Sequence, residues 1–243
     1  MGIIGAVKRA YRAVVPASLQ RFVRESDSAS ARHGRRAREW LKSLRSDSDL
    51  YDADYFATEI EPGASAFAPM MAEALIREFN PSSVVDVGCG TGALLAAFAA
   101  HGVRCVGLEN APAALAWLDR RGLAAVRFDL ESAAPFPGIR ADLAVTVEVA
   151  EHLPESAAGR FVSLLCSVSD TVVFTAARPG QGGTDHVNEQ PSEYWVARFG
   201  SLGFQLRTEL TENTRGEWGR RGLPAAFCGN LLIFARGEGR SLR

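Results

Sequence analysis

Lysine is nearly absent: Lys8 and Lys42 are the only two in 243 residues, so arginine carries almost all of the positive charge. We read this as the codon bias of a GC-rich bacterial genome, with little to say about partners. The net charge of −1 excludes a global field that would draw the chain to nucleic acid. Cysteine is also scarce. Cys89, Cys105, Cys166 and Cys228 form no CxxC pair and lie mostly in apolar runs, which argues against a disulfide framework and reads as reduced core thiols. No apolar run is long enough to span a bilayer, and no signal-peptide core precedes Lys8. Ala6 stands where a myristoylation motif beginning at Gly2 wants Ser or Thr. The expected location is cytoplasmic. Internal repeats and long low-complexity tracts are missing as well.

What is present suffices for a full core. With 47% hydrophobic residues over 243 positions, the chain can bury an α/β domain with an appendage. Charge divides unevenly: residues 1–50 hold 11 Lys+Arg against 5 Asp+Glu, or +6, and the remainder is −7. Ile4, Val7, Tyr11 and Val14 recur at helical spacing among Lys8, Arg9 and Arg12 until Pro16. Such a basic amphipathic helix suits either an anionic membrane surface or packing on the body or on a second copy in a homodimer. Ser26–Ser30 reads as a linker, and Ala31–Leu44 as a second, Arg-rich helix carrying Trp40, Leu41 and Leu44. The organisation expected is therefore a basic helical extension over 1–50 and a catalytic domain over 51–243. Tyr51 and Tyr55 precede an apolar helix over Phe67–Phe79, which Asn80-Pro81 ends.

The stretch that organises the body is Val84-Val85-Asp86-Val87-Gly88-Cys89-Gly90-Thr91-Gly92, an apolar β-branched run entering a glycine-rich turn before a helix. This is a buried parallel strand feeding a nucleotide-binding turn. The turn alone is a weak signal, since Gly88, Gly90 and Ala93 also satisfy the loose dinucleotide fingerprint, with Glu109 about 20 residues on. Asp86 sits at the strand's end, where a carboxylate suits a cationic group and would repel a pyrophosphate. Two further strands, ending at Glu109 and Asp129, each close on an acid. Three acids at three successive strand ends favour a ligand with a positive amino-acid portion, a ribose and an adenine. A fourth strand runs over 141–149 and into Ala150-Glu151-His152-Leu153-Pro154.

On these motifs, over about residues 50–236, the chain resembles the class I S-adenosylmethionine-dependent methyltransferases. The resemblance implies a Rossmann-like α/β fold: a seven-stranded, mostly parallel sheet of order 3-2-1-4-5-7-6 with helices on both faces. Alternation of strands and helices from Thr91 to Leu202 agrees. The last two strands, near 204–210 and 230–235, show no clear helical pattern between them and read as a closing hairpin. By resemblance, the Asp86–Gly92 loop wraps the methionine end of S-adenosylmethionine, with Asp86 near the ammonium and Gly88, Cys89, Gly90 and Gly92 lending backbone. Glu109, with Asn110 beside it, matches the ribose acceptor. Asp129 and the Leu130 amide match the adenine contacts, and Glu148 ends the fourth strand beside the methyl donor. In many such enzymes a tyrosine-bearing segment folds over the cofactor, a role open to Tyr51 or Tyr55, which would otherwise anchor the core.

A sulfonium methyl is already activated, so the protein has mainly to align the acceptor and take its proton. His152, beside Glu151, is the first candidate for general base, and His186 in the glycine-rich run 179–190 can return to the same pocket. An alternative for Glu151 and His152 is a structural cap on the strand-to-helix turn. Glu148, Glu151, His152 and His186 also offer a ligand set for Mg²⁺ or another divalent ion, resembling the ExxEH…H arrangement of the metal-dependent 2′-O-methyltransferases of small RNAs. The Gly-Gln-Gly-Gly-Thr-Asp-His-Val-Asn-Glu-Gln run is instead similar to bacterial methyltransferases of natural-product and saccharide pathways. The body's negative charge speaks against RNA. The reading is O-methylation of a small hydroxylated acceptor, a sugar or natural product, releasing S-adenosylhomocysteine. Its alternatives are RNA 3′-end 2′-O-methylation, N- or carboxyl methylation, and a non-catalytic cofactor-binding subunit. Trp195, Trp218 and a mobile 215–221 loop are expected to line the acceptor side.

Overall fold

The computed structural model describes residues 51–237. The basic extension, with its amphipathic and Arg-rich helices, lies outside the described residues.

Val84, Val85 and Val87 are all buried although they alternate in direction along β1 (Ser83–Val87), because β1 is covered on both faces. Beside it run β2 (Arg104–Glu109), β3 (Ala125–Arg127), β4 (Leu143–Val147) and β5 (Thr171–Thr175), all parallel. β6 (Phe204–Leu206) and β7 (Leu232–Arg236) complete the sheet, with β7 antiparallel to both of its neighbours. The order is β3-β2-β1-β4-β5-β7-β6, as expected from the sequence. The chain leaves β1 toward β2 and re-enters on its other side at β4, so a crevice opens at the carboxyl ends of those two strands, where open α/β sheets bind ligands.

Helix α1 (Glu61–Phe79) starts one and a half turns earlier than its apolar pattern indicates, since Pro62 is tolerated in the first turn. It stops at Asn80, which takes the left-handed conformation and donates its amide to the Ile76 carbonyl at 2.7 Å. With α2 (Ala93–Ala100), α1 covers one face of the sheet, burying Met71, Leu75, Leu94 and Phe98. α3 (Pro112–Arg120) flanks β2 and β3. On the opposite face α4 (Glu155–Val168) and α5 (Ser192–Ser201) enclose an aromatic core, in which Phe199 stacks on Phe234 at 3.9 Å between ring centroids.

The chain's tail corrects the sequence reading. Between β6 and β7 lie two helices, α6 (Thr208–Arg220) and α7 (Ala225–Asn230), rather than a hairpin connection. The supposed mobile loop at 215–221 mostly belongs to α6. Its helical pattern is faint because only Thr211, Thr214 and Trp218 are buried and two glycines interrupt it. Tertiary polar contacts hold it instead: the Arg215 guanidinium donates to the Leu231 carbonyl at 3.1 and 2.7 Å, and Glu217 pairs with Arg77 and Arg221. Trp218 is fully buried beneath α1, and Trp195 packs 5.0 Å from Phe174 in the other core. Neither tryptophan reaches the crevice.

Candidate active site

Backbone geometry makes the floor of the crevice. Gly88, Gly90 and Gly92 all have positive φ, and a Cβ on Gly88 would sit 2.7 Å from Val149 Cγ2, so only glycine lets the turn pass this close to the end of β4. The Gly88 amide donates to the Leu108 carbonyl at 2.8 Å and the Gly90 amide to Glu109 Oε2 at 2.9 Å. Glu109 Oε1 takes the Asn110 and Ala111 amides at 2.7 and 2.8 Å. Burial raises the Glu109 carboxyl above its usual range, with these amides acting in the opposite direction.

Asp86 lies nearby and is differently treated. It is 4% exposed, lines the crevice, and has no donor directed at its carboxylate among the described residues. Burial, then the Glu109 carboxylate, pushes its pKa up to about 8. Asp129 Oδ1 accepts the Glu131 amide at 2.8 Å in a tight turn, and Asp129, Leu130, Asn110 and Cys89 all face the same cavity. The cofactor-side residues expected from sequence, Gly92 excepted, thus converge on one space of about 590 Å³, within the range of small-molecule sites; Gly92 instead backs onto Leu118 and Leu123, where a Cβ would fall 2.4 and 2.9 Å from their methyl groups.

Side chains make the other end. Glu148 adopts a left-handed backbone conformation, φ 52°, an uncommon state for a non-glycine residue. Its carboxylate accepts from Asn230 Nδ2 at 3.1 Å and Gln181 Nε2 at 3.0 Å. Glu151 follows in a single 3₁₀ turn (Ala150–His152) and is fully buried. Its carbonyl accepts the Val187 and Asn188 amides at 2.9 Å each, and its Oε1 accepts the Ala177 amide at 3.2 Å. Burial, then the neighbouring Glu148 carboxylate, holds the Glu151 carboxyl well above the usual range. Glu151 therefore pins both ends of the segment 177–188 that brings His186 home.

His152 and His186 meet with ring centroids 5.0 Å apart and planes perpendicular. His186 Nδ1 lies 3.0 Å from Glu189 Oε1, and the Glu189 carboxylate also accepts the Gly180 and Gly182 amides at 2.8 and 2.6 Å. A Cβ on Gly183 would fall 2.2 Å from His186 Nε2, so that glycine makes room for the imidazole. The Tyr51 hydroxyl lies 3.5 Å from His152 Nδ1 and donates to Asp185 Oδ2 at 3.3 Å. Donor atoms of Glu151, His152 and His186 come within 4.8 Å of one another; Glu148, the fourth expected ligand, is not in that group.

The entrance is roofed by the segment from Tyr51 to a wide π turn at Phe56–Ile60. Tyr51 meets Tyr55 edge to face at 5.3 Å, and Phe56 packs with Ala111 and Ala114. The Tyr55 phenol is pushed up to about 12 by burial, then by Asp185. Arg121 ties this roof to the floor, donating to the Thr91 carbonyl at 2.7 Å and pairing with Glu61 at the start of α1. Glu189, Gln181, Asn230 and the Arg121–Glu61 pair were not singled out from sequence. Only Glu189, three residues after His186 in a glycine-rich run, left a signal there.

Residues 62–166 match a family model described as a methyltransferase domain. Among solved structures, the sugar N-methyltransferase KedS8 from Streptoalloteichus sp ATCC 53650 superposes with a TM-score of 0.56 at 16% identity, over 80% of this chain and 95% of that one. Magnesium protoporphyrin IX methyltransferase (ChlM) from Synechocystis PCC 6803, solved with bound S-adenosylmethionine, gives 0.54 at 16% identity over 89% and 96%. CalS10, an amino pentose methyltransferase from Micromonospora echinaspora, gives 0.52 at 17% identity over 72% and 91%. At such identities the likeness is one of fold.

Proposed function

We propose that this chain, of which residues 62–166 match a methyltransferase domain, is a class I S-adenosylmethionine-dependent methyltransferase whose acceptor is a hydroxyl on a small molecule, a sugar or another natural product. The observation that carries this reading is the imidazole pair His152–His186, with His186 backed by Glu189, in the cavity that Glu109 and Asp129 also line.

The cofactor half fits its ligand. Asp86 offers an unpartnered buried carboxylate to an ammonium, the glycine turn offers close backbone approach, and Glu109 and Asp129 are assigned to the ribose and adenine ends. S-adenosylmethionine, when bound, supplies an electrophilic methyl group on a sulfonium. The chain's own residues must then orient the acceptor oxygen and remove its proton. With Nδ1–H of His186 donating to Glu189, Nε2 is the free acceptor nitrogen and takes the hydroxyl proton. Glu189 steadies the imidazolium so formed, by the logic that orients a general base through a carboxylate. His152, held beside Tyr51, completes the wall against which the hydroxyl rests.

A second reading rests on the Glu151, His152 and His186 donors: with a divalent ion among them, acidity of the hydroxyl would come from the metal rather than from an imidazole. The test is transfer of labelled methyl from S-adenosylmethionine to matched alcohols, phenols, amines and carboxylates, with EDTA and with Mg²⁺ or Mn²⁺ added back. Methylated oxygen with activity indifferent to EDTA supports the base. Activity abolished by EDTA and restored by metal supports the ion, and label found on nitrogen or carboxylate removes the hydroxyl reading.

A further inference from the structure

The acceptor end of the cavity is two-faced. One wall carries the histidines, Thr184 and Gln181. The other is α1, which presents Gly63, Ala64, Phe67, Ala68 and Met71; Ile60, one turn earlier, lies 4.0 Å from where a Cβ on Gly90 would stand, at the glycine turn. These positions fall at intervals of three and four, so they form one stripe of the helix, roughly 12 Å long from Gly63 to Met71. None carries a charge or an N–H or O–H donor. The inner end of the stripe sinks into the core, where Ala68 and Met71 are buried with Ala64 and Phe67 packed against them, while its outer turn lines open space, and a Cβ built on Gly63 meets nothing within 4 Å. Phe227 of α7 closes the far side, its ring centroid 6.1 Å from that of Phe67.

We infer that the acceptor is a hydroxylated compound with an apolar carbon skeleton, aromatic or alicyclic, lying along the Gly63–Met71 stripe with its single reacting hydroxyl at the histidines. This deepens, and rests on, the hydroxyl-acceptor reading above. A free saccharide bears hydroxyls on all its edges. Those turned toward α1 would lose water without gaining a partner, at a cost for each group. An apolar ring in the same place gains from burial and finds Phe67 and Phe227 as edge or face partners. Small residues at 63, 64 and 68 set the width of the slot, so Gly63 determines which skeletons enter.

The test has a binding arm and a turnover arm, both on the full chain. Saturated with S-adenosylhomocysteine, the protein binds the apolar probe 1-anilinonaphthalene-8-sulfonate, Gly63→Leu removes that binding, and Gly63→Ala keeps it. In turnover, 2-naphthol is preferred to methyl glucoside by about 100-fold in kcat/KM, and Gly63→Leu raises the naphthol KM about 10-fold with S-adenosylmethionine affinity unchanged. The inference is overturned if the glucoside is methylated as well as the naphthol, if Gly63→Leu leaves both probe and KM unaffected, or if the probe fails to bind. Should neither acceptor be methylated, the hydroxyl reading fails, and probe binding with its loss in Gly63→Leu still decides what the stripe holds.

Discussion

The two ends of the cavity are built by different means. At the proposed cofactor end, three successive strand ends and one glycine turn bring acids and backbone amides together, the Gly90, Asn110 and Ala111 amides donating to Glu109, so this end is built from a stretch of chain folding on itself. At the acceptor end, side chains arrive from Tyr51, α1, the 148–152 turn, the 177–189 segment and α7, and are held by one another. The first construction suits a ligand shared by many enzymes, the second one that must vary. If this division is real, variants at one end should leave the other largely intact.

The largest effect is expected from His186→Ala, which removes the proposed base: methyl transfer under saturating cofactor should slow about 10³-fold, read by rapid-quench assay with labelled cofactor. At the other end, Asp86→Asn should weaken S-adenosylmethionine by about 10- to 100-fold, the range for a hydrogen bond to a charged group, with kcat little changed, as calorimetry and initial rates will show. The same carboxylate sets a pH dependence. Burial pushes its pKa up to about 8, and a cationic ligand favours its ionised form, so affinity should climb with pH up to about 8 and level off above, with proton release below. The sign for stability is opposite. A carboxyl raised from 3.8 to about 8 makes the empty protein lose stability as pH rises through that window, and thermal melts of Asp86→Asn should lack that decline.

Smaller effects test the supports. Glu189→Gln keeps the shape but removes the charge behind His186, and kcat should fall about 10-fold while KM for both substrates holds. Arg121→Lys loses the fork that joins Thr91 to Glu61 and should raise KM for S-adenosylmethionine a few-fold without changing kcat; equal losses in both would mean that Arg121 serves only the fold.

Legibility from sequence follows the same division. That Asp86, Glu109 and Asp129 would line one cavity was legible because each stands at or just after a strand end read in order, and the sheet order followed by family resemblance. The pairing of His152 with His186 was expected, but its scaffold was not. Glu189 reaches His186 through a loop whose shape depends on amides at Gly180 and Gly182, and Asn230 meets Glu148 from the far end of the chain. The first left only the faint signal of an acid three residues after His186, and the second has no local pattern. Trp195 and Trp218 misled because large aromatics serve cores and pockets alike; both are buried in the cores flanking the sheet. The helix α6 escaped notice because arginine contacts rather than an apolar stripe hold it.

The central claim, that the imidazole end performs the proton chemistry while the strand ends hold the cofactor, is tested most directly by titrating His186→Ala with S-adenosylmethionine at equilibrium. The account predicts a dissociation constant within about twofold of the parent protein, since no strand-end contact changes. A loss of tenfold or more would contradict it and make His186 part of the cofactor site.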